Sequence, residues 1–185
     1  MGRAAPNDHR RPGTAARPSG RNEAATMAKE AKTNAMRILE SMKIPFTHYT
    51  YECDEFVDGI QVADMLGLPH EKVYKTLVTV GNSKNYFVFV IPIAEELDLK
   101  KAAKSVGEKN VEMIHVKDIN AITGYIRGGC TAIGMKKQFV TRVDESAILL
   151  ETMIVSGGRI GSQIELAPDD LCRASAAEYS DLVRN

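Results

Sequence analysis

The stretch EKVYKTLVTVGNSKNYFVFVIP, Glu71 to Pro92, decides the fold of this chain. β-Branched and aromatic residues fill two runs on either side of a Gly-Asn-Ser turn, which predicts a β-hairpin. Apolar residues fall on both faces of the first run, so we expect a strand that is covered on both sides. Lys75 stands in this run, where an unpaired buried ammonium is costly. Its side chain either reaches out to the rim of the sheet, which is the commoner case, or meets an anion.

The composition is that of an ordinary globular chain. Its 185 residues are 44% hydrophobic, which suffices for one domain with a core. Basic and acidic residues number 24 each, so a nucleic-acid partner would have to meet a local patch rather than a global basic field. No apolar run of membrane-spanning length and no signal peptide are visible, and we expect a cytoplasmic protein that does not enter membranes.

The number and spacing of cysteines and histidines argue against disulfide bonds and against a structural metal site. The three cysteines are odd in number and lack any CxxC pair, which indicates reduced thiols. The four histidines show no metal-ligand spacing. We therefore predict no metal site and no cofactor. The residues concerned are Cys53, Cys130, Cys172, His9, His48, His70 and His115.

The N-terminal segment differs from the rest of the chain. Residues 1–26 contain no Leu, Ile, Val or Phe but carry five arginines among Pro, Gly, Ala and Ser. Such a segment cannot bury enough surface to offset its ordering entropy. We expect a disordered extension over residues 1–28 and one domain over 29–185. Met27 offers an alternative start, and a transit peptide is disfavoured because an amphipathic face is missing.

The domain itself mixes helices and strands without a strict βαβ rhythm. Helices are predicted over 35–42, 60–66, 99–106 and 116–122 and from Pro168 onward, and strands over 46–51, 111–114, 138–143, 152–156 and 162–166 besides the hairpin. Asp98 is expected to cap the third helix, and Pro168 to occupy the first turn of the last. Because hairpins dominate, we predict a mixed, largely antiparallel α+β domain.

A glycine-rich loop, TGYIRGGCTAIGMKK (Thr123 to Lys137), is the first candidate for chemistry. Its glycines free the backbone to present N–H groups to an oxyanion or phosphate, although a solvated surface turn is equally consistent. The spacing fits neither a mononucleotide nor a dinucleotide loop. Cys130 within it is a candidate nucleophile, but the loop holds no histidine base, and a small buried cysteine is commoner.

A second glycine-containing stretch, VSGGRIGSQIEL, runs from Val155 to Leu166. Ser156 has no Ser-His-Asp context, and Gly157 with Gly158 can simply form a hairpin turn. Arg159 is either solvated or faces an anion. Taken alone, this stretch is a weak functional signal.

Four motifs in this order, VYKTLV, LDLKKAAK, GYIRGGCTAIGMKK and VSGGRIG, resemble the YbaK/EbsC family of Cys-tRNA(Pro) deacylases. The resemblance extends from Ala35 to the C-terminus. It implies a single α+β domain around a barrel-like sheet, related to the editing domain of bacterial prolyl-tRNA synthetases. It also implies a trans-acting enzyme that releases cysteine mischarged onto tRNA(Pro), with aminoacylated tRNA as substrate, and leaves open a transient complex with prolyl-tRNA synthetase.

The resemblance also assigns site residues. Lys75 corresponds to a lysine that holds the 3′-terminal adenosine or its phosphate, and Gly128 to a loop glycine whose N–H faces the ester carbonyl. With Gly129 they are the expected catalytic positions. The expected substrate-binding residues are Tyr51, Asp58, Thr76, Arg127, Cys130, Ser156, Gly157, Arg159 and Gln163.

Three positions depart from the family pattern. Ala132 replaces the proline that usually ends the Gly-Gly-x-Ser-Pro loop. Asp58 aligns with a pocket phenylalanine of some members, and Gln163 replaces an aspartate.

These departures leave alternative functions open. Release of alanine or another small residue remains an alternative, although alanine-type relatives use a late histidine and this chain has none after His115. A non-catalytic module that binds the tRNA acceptor end is the alternative of another class. No nucleophile–base pair stands in the matched loops, which favours cleavage by the substrate's own thiol.

Overall fold

The computed structural model describes residues 32–53 and 56–185. The predicted extension over residues 1–28 lies outside them, and Thr33–Asn185 form one compact unit. The helices are α1 Asn34–Ser41, α2 Gly59–Leu66, α3 Leu99–Ser105, α4 Ile119–Thr123 and α5 Pro168–Ser175. The strands are β1 Thr47–Thr50, β2 Tyr74–Gly81, β3 Tyr86–Pro92, β4 Val111–Met113, β5 Val140–Asp144, β6 Met153–Ser156, β7 Ser162–Leu166 and β8 Glu178–Ser180. Three short 3₁₀ turns cover His70–Lys72, Val116–Asp118 and Glu145–Leu149.

These strands form two sheets. A three-stranded sheet has the order β1-β7-β6, and a five-stranded sheet has the order β4-β2-β3-β5-β8. Within the described residues, β3–β5 and β5–β8 are parallel pairs and the other strand pairs are antiparallel, which confirms a mixed and largely antiparallel α+β domain. A parallel bridge between Val73 and Ile154 joins the sheets. Within the described residues they remain two open sheets, so "barrel-like" holds only loosely.

The hairpin of β2 and β3 is covered on both faces, as its sequence predicts. Val88 and Val90 pack into a core shared with α1 and β7, whereas Phe89 and Ile91 pack into a second core shared with α3. Successive side chains of a strand point to opposite faces, so a strand between two cores must be apolar throughout. β2 lies between the same two cores, with Tyr74 and Val78 in the first and Leu77 packed against the second.

Local signals set the helix ends. Thr33 accepts a hydrogen bond from the Met36 N–H and begins α1, and Asp98 accepts from the N–H groups of Lys100 and Lys101 and begins α3. Gly67 ends α2 in the left-handed conformation, with φ at 65°. Within the described ranges, no helix has the length and apolar character needed to cross a bilayer.

Candidate functional site

A cleft of about 550 Å³ opens along one edge of β2. Nine of the twelve residues expected from the sequence line it: Tyr51, Asp58, Lys75, Thr76, Arg127, Gly128, Cys130, Ser156 and Gln163. Segments far apart in the chain therefore meet at one place. Gly129, Gly157 and Arg159 do not line the cleft.

The cleft exists because β2 lacks a neighbour over part of one edge. Among the described residues, β4 pairs with Thr79 to Gly81, the Ile114 N–H donates to the Val78 carbonyl, and β6 is bridged to Val73, the residue just before β2. The Gly81 N–H and the Val73 carbonyl both bond toward β3, and backbone direction alternates along a strand. The backbone N–H and carbonyl of Thr76 therefore point away from β3, into the open stretch. A ligand in the cleft meets these groups as well as side chains.

Lys75 brings a cation into this opening. Its Nζ donates one long hydrogen bond, 3.4 Å, to the carbonyl oxygen of Ile93. Among the described residues, no carboxylate lies within ion-pairing distance of it. Burial lowers the pKa of Lys75, and the more distant carboxylates of Glu96 and Glu95 oppose that shift. A half-buried ammonium with so little compensation is suited to an anionic ligand.

Of the two glycines expected to be catalytic, Gly128 has a free N–H among the described residues and Gly129 does not. Gly128 has φ at 84°, a conformation that favours glycine, and its N–H donates to no group of the described residues. The Gly129 N–H, by contrast, donates to the Ile126 carbonyl over 2.9 Å. A Cβ on Gly129 would lie 2.7 Å from Arg159 Cα, so this glycine permits close packing of two loops. The expected catalytic role of Gly129 therefore finds no support in its geometry.

The loop's Arg127 forms a stacked pair at the mouth of the cleft. Its guanidinium lies 4.1 Å from the centroid of the Phe56 ring, a cation–π contact. Phe56 lines the cleft and is 46% exposed. A base or ribose entering the cleft can stack against this pair.

Asp58 was expected where some relatives have a pocket phenylalanine, and the phenylalanine that lines the cleft among the described residues is Phe56, two positions earlier. The Asp58 carboxylate begins α2 by accepting the Gln61 N–H at 2.9 Å, with Gln61 closing a capping box. Its side chain is thus committed to the helix end. An Asp-x-x-Gln pattern before an apolar run was the available signal for this cap.

Cys130 lines the cleft but lacks the character of a nucleophile. Burial raises the pKa of its thiol to about 11, with a smaller opposing effect from the Thr123 hydroxyl. The thiolate is the reactive form, so at neutral pH this sulfur is inert. The small-buried-cysteine interpretation is the one that fits.

The three-stranded sheet supplies the polar end of the cleft. Ser156 at the end of β6 pairs in register with Gln163 of β7, and Tyr51 follows β1 immediately. The Ser156 hydroxyl accepts the Gly158 N–H at 3.2 Å, which ties it to the turn. Gln163 is buried, with 7% of its surface exposed, and adds a neutral amide where a carboxylate was the family expectation.

Gly157 shapes the turn instead of contacting the cleft. Its N–H donates to the Ser162 carbonyl at 2.9 Å, and its own carbonyl accepts the Thr33 hydroxyl at 2.6 Å. A Cβ there would collide with the Ser162 hydroxyl. Arg159 contributes backbone packing against Gly129. Gly157 and Arg159 thus make packing and turn contacts next to the cleft without lining it.

A further, apolar part of the cleft wall was not predicted from the sequence. Met113, Val116 and Ile119 line it, and the first two are 46% and 54% exposed. They come from β4 and the short helical segment after it, whose apolar spacing was interpreted only as a helix face. Among the described residues, no group of three or more His, Cys, Asp or Glu side chains could hold a metal ion.

Comparison with known proteins defines the class. Residues 57–174 match the model of the aminoacyl-tRNA editing domain, a span that includes most of the cleft. The chain therefore belongs to the family of aminoacyl-tRNA editing domains, in its YbaK/EbsC group. A protein of Enterococcus faecalis, provisionally named Cys-tRNA(Pro)/Cys-tRNA(Cys) deacylase EbsC, is 47% identical over 154 residues, which cover 83% of this chain and 94% of that protein.

Solved structures share the fold. The crystal structure of a provisionally named trans-editing enzyme for prolyl-tRNA synthetase superposes with a TM-score of 0.70 at 19% identity, covering 84% of this chain and all of that one. The crystal structure of the hypothetical protein APE2540 has a TM-score of 0.75 at 20% identity, with coverages of 82% and 99%. At these identities the likeness concerns the fold alone.

Proposed function

We propose that this protein is a trans-acting deacylase that releases cysteine from mischarged Cys-tRNA(Pro). Membership of the editing-domain family and the name of the Enterococcus faecalis relative support this substrate. The aminoacylated 3′ end of a tRNA has an anionic phosphate, a planar adenine base and an ester. The cleft has a group that complements each of these three features.

The observation that carries the proposal is that Lys75 and Gly128 line the same cleft. The ammonium of Lys75 has no ion-pair partner among the described residues, and the phosphate of the 3′-terminal adenosine supplies one. The unused N–H of Gly128 can stabilise the negative charge that develops on the ester oxygen. Arg127 and Phe56 offer a face for the terminal base. Tyr51, Thr76, Ser156 and Gln163 enclose the amino-acid end.

We propose that the nucleophile comes from the substrate. The sulfur of the bound cysteine attacks its own ester carbonyl, forming a C–S bond; the bond to the ribose oxygen then breaks. The thiol proton passes to solvent, the ribose oxygen takes up a proton from water, and cysteine leaves as a small-ring thiolactone. The protein holds the ester in a reactive conformer and stabilises the oxyanion, which requires no enzyme base. The raised pKa of Cys130 supports the assignment of attack to the substrate thiol.

Editing by a separate protein is chemically reasonable for this substrate. Cysteine, alanine and proline differ by few atoms, and a methylene is worth only about 1–3 kcal/mol of discrimination in an apolar pocket. A synthetase therefore mischarges small residues, and a second site must remove them. We place the protein in the cytoplasm, where charged tRNA is made, with a transient complex with prolyl-tRNA synthetase as the delivery route.

The test is release of labelled cysteine from Cys-tRNA(Pro), with Pro-tRNA(Pro) as the matched substrate that must survive. We expect rapid loss of the cysteinyl ester, no loss of the prolyl ester, and loss of activity in Lys75→Met. Faster clearance of Ala-tRNA(Pro) would assign the protein to alanine editing. Binding of tRNA without release of any amino acid would instead identify a module that only binds the acceptor end.

A further inference from the structure

A cationic surface adjoins the mouth of the cleft, although the chain as a whole is neutral. Residues 32–39, 119–143 and 152–164 contain no Asp or Glu. Besides Lys32, the exposed cations of these segments are Arg37, Arg127, Lys136 and Lys137. Among the described residues, none of the four has a carboxylate within ion-pairing distance. Such a local concentration of unpaired positive charge attracts an anionic partner.

The three acid-free segments meet in space. The Asn34 amide donates to the Gly134 carbonyl at 2.9 Å, which fixes the start of α1 against the glycine loop. The Thr33 hydroxyl donates to Gly157 at 2.6 Å, so the same helix start also holds the turn after β6. Arg37 lies one helical turn beyond Thr33, on the same side of α1.

The two lysines are held at the loop's other end. The Lys136 N–H donates to the Thr123 carbonyl at 3.0 Å, and its Nζ reaches the Ala121 carbonyl at 3.2 Å. The same loop carries Arg127 and Gly128 into the cleft. One loop therefore connects a cation at the mouth of the cleft, Arg127, to cations outside the cleft.

We propose that this surface binds the sugar–phosphate backbone of the acceptor stem, while the cleft holds the 3′ end. The inference rests on the proposed function, because it places the body of the same substrate. The amino acid and terminal adenosine fill the cleft, and the duplex that follows must leave through its mouth, beside the loop. Double-stranded RNA is contacted through its phosphates and shape, which gives affinity without sequence choice. The surface therefore contributes affinity for tRNA, and the cleft recognises the amino acid.

The experiment compares Lys136→Gln/Lys137→Gln with Lys100→Gln/Lys104→Gln, a matched pair of exposed lysines on α3. That helix packs against the opposite face of the five-stranded sheet. Binding of uncharged tRNA(Pro) is measured by fluorescence anisotropy between about 50 and 200 mM salt. We expect the loop variant to bind roughly tenfold more weakly or worse, with a salt slope lowered by about two, one per lost phosphate contact. The α3 variant should bind like the wild type.

Turnover then separates this inference from the proposed function. With Cys-tRNA(Pro), the loop variant should show a raised KM and little change in kcat; with cysteinyl-adenosine, which lacks the stem, it should match the wild type. Equal losses on both substrates, equal losses in the α3 variant, or an unchanged salt slope would overturn the docking surface. A wild type that binds tRNA through these lysines but cleaves neither ester would leave the surface standing and refute the deacylase.

Discussion

The Nζ of Lys75 lies 3.4 Å from the Ile93 carbonyl oxygen, and that is its one hydrogen bond in the described structure. Lys72, three residues earlier, instead forms a 2.6 Å ion pair with Glu165. Two lysines of one segment thus differ: Lys72 is paired with a carboxylate of the fold, and Lys75 has no carboxylate partner among the described residues. Their substitutions should separate function from stability.

Lys75→Met should abolish deacylation without loss of stability. Methionine keeps the side-chain length and removes a half-buried ammonium, which relieves a desolvation cost. The thermal midpoint should therefore stay level or rise, while release of cysteine falls to background. Lys72→Met is the control, and it should lower the midpoint because it leaves the Glu165 carboxylate without its cation. Wild-type activity in Lys75→Met would remove this residue from the mechanism.

Glu165 should make stability depend on pH. Its carboxylate accepts hydrogen bonds from Lys72, Thr152 and Tyr49, which together hold its pKa at about 2 despite the opposing effect of burial. A depressed pKa contributes stability above the unfolded value near 4.5, and that contribution disappears as pH falls toward 2. Glu165→Gln should lower the free energy of unfolding at pH 7 by about 1–2 kcal/mol. Denaturant unfolding at several pH values should show the two proteins converging in acid.

Cys130→Ala should retain most of the deacylase activity. A thiol with a pKa of about 11 is protonated at pH 7, and the loop is proposed to act through the Gly128 N–H. The alanine leaves a small void, so a modest drop in thermal midpoint is expected. Complete loss of turnover in a folded Cys130→Ala protein would return the nucleophile to the enzyme.

The local signals in the sequence predicted most elements, because each depends on a few adjacent residues. Asp98 caps α3 and Pro168 opens α5, as expected from their positions alone. β8 was missed: Glu178–Ser180 is three residues long, and it forms only because β5 offers it a parallel edge. A pairing between segments so far apart leaves no local pattern.

The site was predictable as a set of motifs but not as a geometry. Nine of the twelve residues expected from the resemblance line one cleft. The open edge at Thr76 depends on where β4 stops pairing, which no property of β2 reveals. Likewise, the use of the Gly129 N–H inside its own turn and the placement of Phe56 beside Arg127 are decided by loop conformation. Residue types indicated the chemistry, and tertiary contacts selected which groups are available for it.

Deletion of residues 1–26 should leave folding and activity intact. That segment holds no Leu, Ile, Val or Phe to add to a core. The thermal midpoint and the rate on Cys-tRNA(Pro) should match those of the full chain. A large fall in midpoint on truncation would show that the segment is structural.

The substrate's own thiol should set both the selectivity and the pH profile of the reaction. A free cysteine thiol titrates near 8.5, so a few per cent is thiolate at neutral pH without any base. A serine hydroxyl has no comparable fraction, and an alanine methyl cannot attack. Cys-tRNA(Pro) should therefore be cleared far faster than Ser-tRNA(Pro) or Ala-tRNA(Pro), although all three side chains are small enough for one pocket.

The single-turnover rate on Cys-tRNA(Pro) should rise with pH toward the substrate thiol's pKa and then fall as Lys75 loses its proton. Because burial lowers the pKa of Lys75, that falling limb should begin below the range of an ordinary lysine. The matched substrate is S-methyl-cysteinyl-tRNA(Pro), which fills nearly the same space but carries no ionisable thiol. At every pH it should be lost no faster with the enzyme than without it, and a thiolactone should be trapped only from the unmodified ester. Equal clearance of the cysteinyl, S-methyl-cysteinyl and alanyl esters would show that water or an enzyme group attacks, and the thiol mechanism would be wrong.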